Sequence, residues 1–84
     1  MKFQGPLSRN DGGRFAAPGD SHGLSCGQGI EILLRGQWIP ARVELFGDSR
    51  RWYAAVRQEK EWREEAQEEA AVLLGPGLIV RYEI

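Results

Sequence analysis

Apolar and polar positions alternate strictly over much of this chain, and that alternation is the first thing its sequence reveals. Ile30, Ile32 and Leu34 alternate with Glu31 and Leu33. Further on, Ile39, Ala41, Val43 and Leu45 share one side, while Trp38, Pro40, Arg42, Glu44 and Phe46 share the other. Trp52, Ala54 and Val56 stand opposite Arg51, Tyr53, Ala55 and Arg57. At the end, Leu78, Val80, Tyr82 and Ile84 stand opposite Ile79, Arg81 and Glu83. A period of two means strands with one buried face.

The breaks between these runs read as turns. Gly36-Gln37 and Gly47-Asp48-Ser49 separate the central strands, and Pro18 to Gly23 is a loop by composition. Asn10-Asp11-Gly12-Gly13 lies between two extended runs, 1–8 and 14–17, and predicts a hairpin, because these residues tolerate the positive φ of tight turns. Proline lacks a ladder donor, so Pro6 places the first strand at a sheet edge, and Pro40 implies an edge or a bulge.

Residues 58–72 break the alternation. QEKEWREEAQEEAAV is rich in helix formers, with Glu59–Arg63 and Lys60–Glu64 one turn apart. Trp62, Ala66, Ala70 and Leu73 form a thin apolar stripe, which predicts a docked helix anchored by Trp62 and stopped by Gly75-Pro76-Gly77. The expected fold is mainly β: a small SH3-like antiparallel barrel forming one domain over residues 1–84. It has an N-terminal hairpin (1–17), central strands (24–57), an acidic helix (58–72) inserted before the last strand, and a closing strand (77–84).

Composition sharpens this picture. The 84 residues support one modest core, and 42% apolar with 27% charged residues is globular rather than disordered. Eleven glycines suit a turn-rich fold. A net charge of −1 gives no global field toward nucleic acid or an anionic membrane. Its distribution is uneven. Residues 1–57 hold eight Lys/Arg and five Asp/Glu, net +3, whereas 58–71 hold two and six, net −4. The lone Cys26 can make no internal disulfide, which points to a reducing cytoplasm. The opening residues lack the apolar core of a signal peptide, and GIEILL is too short to span a bilayer.

Several stretches together resemble a family of short, uncharacterised bacterial domains common in Gram-positive genomes and on mobile elements. They are Gly13-Arg14-Phe15, LSCGQGIEI (24–32), GQWIPARVE (36–44), Trp52-Tyr53 and GLIVRY (77–82). Two departures stand out: Gln28 replaces a usual acidic residue, and the Glu-rich segment exceeds the family's short connection. The resemblance implies a small SH3-like barrel and no established activity.

No catalytic set can be assembled. His22 and Cys26 are the only histidine and thiol, and no third group is placed to orient the imidazole. Packing of Cys26 as a small apolar residue at a strand start is the expectation. One Cys and one His cannot hold a structural zinc, so no metal and no cofactor is expected. Gly27 and Gly29 precede no helix and are not a phosphate loop.

What remains is the outward face of the sheet, carrying Trp38, Arg42, Arg51, Tyr53, Arg57 and Arg81 as candidate binding residues. Arginines interleaved with aromatics can grip phosphates and stack on bases, or form a protein contact. Glu31, Glu44 and Glu83 among them can also pair with them into an ordinary solvated face. Trp52 is expected in the core and Trp38 partly exposed. The leading reading is a non-catalytic interaction module, not an enzyme, that binds a protein partner and no membrane or metal. The alternatives are a nucleic-acid-binding accessory protein and a small mobile-element inhibitor of a host enzyme.

Overall fold

The computed structural model describes residues 1–45, 51–58 and 68–84, with backbone alone for 57, 58 and 68–70. The strands are β1 (Lys2–Pro6), β2 (Ser8–Arg9), β3 (Phe15–Ala16), β4 (Gly29–Leu34), β5 (Gln37–Leu45), β6 (Trp52–Gln58), β7 (Glu68–Leu73) and β8 (Ile79–Glu83). Every pairing is antiparallel. Six strands form one sheet in the order β1-β8-β4-β5-β6-β7, and β2 and β3 form a separate ribbon.

The expected SH3-like barrel is not closed among the described residues, because edge strands β1 and β7 do not pair with each other. The reason lies partly in β1. Met1 and Ile84 exchange both backbone hydrogen bonds, at 2.8 and 2.9 Å. Odd residues of β1 therefore face β8, and Lys2, Gln4 and Pro6 turn their backbone groups outward. Pro6 removes a donor from that outer edge, as an edge strand tolerates and a closing seam does not.

The helix expected over 58–72 is absent from the described part of that segment. Gln58 ends β6, and Glu68–Leu73 is β7, paired from Gln58↔Glu68 through Tyr53↔Leu73. Helix propensity is worth only tenths of a kcal/mol per residue, and tertiary pairing overrides it. Burial follows the strand period: Val72 packs on the core, Leu74 is buried, and Leu73, assigned to the buried helical stripe, is 55% exposed. The Gly47-Asp48-Ser49 turn, the Trp62 anchor and the Glu59–Arg63 and Lys60–Glu64 pairs lie outside the described residues.

One sheet face makes the core. Ile30, Ile32, Val43, Ala54, Val56, Val80 and Tyr82 are buried there, and Leu7, Phe15, Ala17, Leu24 and Leu74 close over them. The β2–β3 ribbon and the segment after it thus plug the inner face. Trp52 packs against this cluster, whereas Ile84, grouped with the inward residues, is 62% exposed beyond the end of β8. The hairpin turn is built by Asn10, whose Oδ1 accepts from Gly12 N and Arg14 N at 3.0 Å each.

One turn and one proline differ from expectation. The β4–β5 turn is Arg35-Gly36, with Leu34 paired to Gln37, so Gln37 opens β5 instead of turning the chain. Arg35 (φ 50°) and Gly36 (φ 76°) both adopt positive φ, the type I′ geometry that matches strand twist. Pro40 lies inside a central strand, paired to Glu31 on β4. Even residues of β5 direct their backbone toward β6, and the β5–β6 ladder begins only at Ala41↔Val56. Pro40 therefore sits where that ladder stops and no donor is needed.

Candidate functional site

The outward face is organised around Arg81. Glu31 and Arg81 are paired across β4 and β8, and their side chains are joined by a fork: Arg81 Nε and Nη2 donate to Glu31 Oε1 and Oε2 at 3.0 and 3.2 Å. The guanidinium also lies over the Trp38 ring, 4.2 Å from its centroid. Arg81's hydrogen bonds, followed by its charge, hold the Glu31 carboxyl below its ordinary range despite an opposing desolvation effect. A stacked and forked arginine has few rotamers left to lose on binding.

A second centre lies along β5. Arg42 Nε donates to Glu44 Oε1 at 2.5 Å, and the Cys26 thiol lies 3.6 Å from Glu44 Oε2. Cys26 is exposed, not packed at a strand start. The Ser25–Gln28 turn carries it outward, with Gln28 N bonded to Ser25 O and Gly27 N to Val43 O. Tyr53, half-buried in β6, is paired with Glu44, and Arg51 is exposed just ahead of β6. Arg57 lies in β6 opposite Glu69, and its side chain falls outside the description.

Of the six candidates, then, the structure brings Trp38 and Arg81 into contact. Arg42 is four residues from Trp38 along β5, about 13 Å away. The arginines do not make one continuous cationic strip, since Glu31 and Glu44 interrupt it. A groove of about 430 Å³ beside β1 and β8 is similarly mixed, with Lys2 and Arg81 against Glu31 and Glu83.

Sequence reasoning missed an apolar row on this face. The registers Pro6↔Ile79 and Leu33↔Trp38 are direct, and Ile32↔Val80 carried one residue on sets Leu33 toward Ile79. Pro6, Ile79, Leu33 and Trp38 thus run across β1, β8, β4 and β5. Leu33, Trp38 and Ile79 are half-buried, yet none packs against the core cluster. The signal was present: Leu33 and Ile79 occupy positions where alternation calls for polar residues.

Opposite this face, a buried polar network ties the loop after β3 to β8. Tyr82 Oη donates to Asp20 Oδ2 at 2.5 Å and accepts from Ala17 N at 3.0 Å. Asp20 Oδ1 also accepts from His22 N and Gly23 N. Burial, then the bond to Asp20, pushes the Tyr82 hydroxyl up to about 12. Burial alone would raise the Asp20 carboxyl, but the hydrogen bonds from Tyr82, Gly23 and His22 together hold it below its ordinary value.

Among the described residues, no three His, Cys, Asp or Glu side chains gather as a metal-binding group. No helix there is long and apolar enough to cross a membrane. The family described as a domain of unknown function, DUF5348, matches residues 5–69. No curated protein and no solved structure matches the chain.

Proposed function

The chain belongs to that family of unknown function, and from this premise we propose that it is a non-catalytic interaction module whose outward face contacts a protein partner through Trp38 and Arg81. The carrying observation is that Arg81 is neutralised by Glu31 while stacked on Trp38. Arg42 paired with Glu44 points the same way. Arg81 and Arg42, each paired with a carboxylate, do not form the run of cations that a phosphate backbone engages, whereas an ordered Trp–Arg plate is the kind of group on which protein interfaces concentrate their energy. The same reading places the protein in a bacterial cytoplasm, on the family resemblance and the lone thiol, and includes a mobile-element inhibitor of a host enzyme as one form of such a module.

Nucleic acid is the rival partner, and salt decides between them. Each phosphate contact displaces counterions, so oligonucleotide affinity falls by about 0.7 log units per contact for each tenfold rise in salt. The expected result is no retention of a labelled single-stranded oligonucleotide, even at low salt, together with co-purification of a protein that Trp38→Ala abolishes. Submicromolar oligonucleotide binding at physiological salt would reverse the assignment.

A further inference from the structure

Pro6, Ile79, Leu33 and Trp38 form an apolar row on the outward face among the described residues, and its surroundings specify what can cover it. Toward β5's middle it is bordered by Arg81 and Glu31, whose charges cancel. Along its opposite side stands Arg35, exposed at the tip of the β4–β5 hairpin, with the Leu34–Gln37 pair between it and the Leu33–Trp38 pair. Arg35 has no ion pair to a described residue, so among the described residues Arg35 adds a positive charge to this border.

Two further details give these arginines a direction. Arg35 adopts φ 50°, a conformation costing a residue with a Cβ about 1 kcal/mol, where Asn or Gly would sit more easily in a type I′ turn. Backbone strain of this kind persists where a particular side chain is useful. Arg81 carries five N–H donors, of which Glu31 takes two, leaving three to engage another acceptor.

We propose that this row is a docking site for an acidic peptide segment of a protein partner, an apolar side chain lying over Leu33, Trp38 and Ile79 and flanking carboxylates meeting Arg35 and the unused edge of Arg81. The inference rests on the protein-binding reading above and adds the chemistry of the partner and three residues, Leu33, Ile79 and Arg35, beyond the six binding candidates.

The test is a titration of the full-length, isotopically labelled protein, followed by NMR, with two capped peptides sharing a Leu-Trp-Leu centre. One is flanked by Glu on both sides and the other by Lys. The Glu-flanked peptide is expected to shift Leu33, Ile79 and the Trp38 indole and to bind about fivefold tighter than its Lys counterpart. Arg35→Asn should remove most of that preference, and because Asn suits the turn, thermal stability should hold or rise. Equal affinity for the two peptides, shifts centred elsewhere, no saturable shift at millimolar peptide, or a preference surviving Arg35→Asn would each overturn the acidic-segment proposal while leaving the protein-binding reading intact. A thymidine oligonucleotide shifting the same residues more strongly than either peptide would overturn both.

Discussion

At the scale of single residues, neighbours in sequence have opposite fates. Val43 is fully buried between Ile30, Ala54 and the residues closing the core, while Arg42 is exposed and paired with Glu44. Val43→Asp buries an unpaired carboxylate and costs several kcal/mol of a total of about 5–15, enough to unfold the domain. Arg42→Ala removes a surface ion pair worth about 0–1 kcal/mol, so its urea midpoint should stay close to that of the parent. Similar losses in both variants would mean that the faces of β5 are exchanged. The two faces were readable in the sequence here, because a hydrophobic period of two admits only one burial pattern. Cys26 was not: whether a small thiol is packed or exposed depends on which way its turn points.

At the scale of elements, residues 68–73 carry the instructive difference. The Glu and Ala residues at 68–71 suit a helix locally, but β6 offers an edge that pairs with all six residues 68–73. The consequence can be measured. Ala71 is exposed in β7 opposite Ala55. Ala71→Thr introduces a β-branched side chain, which a strand favours by up to about 1 kcal/mol. In a helix the same change costs roughly half a kcal/mol. The expected outcome is a higher unfolding midpoint, and a lower one would restore the helix to this segment. Pro40 teaches a related lesson: a proline marks a missing donor, and only the ladder shows that the donor is missing toward β6.

At the scale of the whole molecule, Tyr82 and Asp20 join positions 62 residues apart and fasten the plug of loops to the sheet. Their shifts set a pH profile for stability. Tyr82 is raised, so its contribution is complete below about pH 10, the unfolded value, and is lost as pH climbs toward about 12. Asp20 is lowered, so its contribution is complete above about pH 4 and is lost as pH falls through its folded value. Tyr82→Phe should cost about 1–3 kcal/mol at pH 7, since it leaves Ala17 N without its acceptor and removes a donor from Asp20. Chemical unfolding of parent and variant at pH 7, 10.5 and 11.5 should show that gap narrowing with pH. A constant gap would mean that the hydroxyl titrates alike folded and unfolded.

The sequence by itself determined the strand periodicity, the inward set Ile30, Ile32, Val43, Ala54, Val56, Val80 and Tyr82, the edge position of β1 and the half-exposure of Trp38. Each follows from local rules: side-chain alternation, or the missing donor of proline. Only the tertiary structure decided that β1 and β7 stay unpaired with each other among the described residues, that 68–73 is a strand, that Arg81 is held by both Glu31 and Trp38, and that Pro6, Ile79, Leu33 and Trp38 share a row. Those outcomes depend on strand order and register. Inserting β8 between β1 and β4 brings residue 81 beside residue 31, a placement that no local propensity encodes.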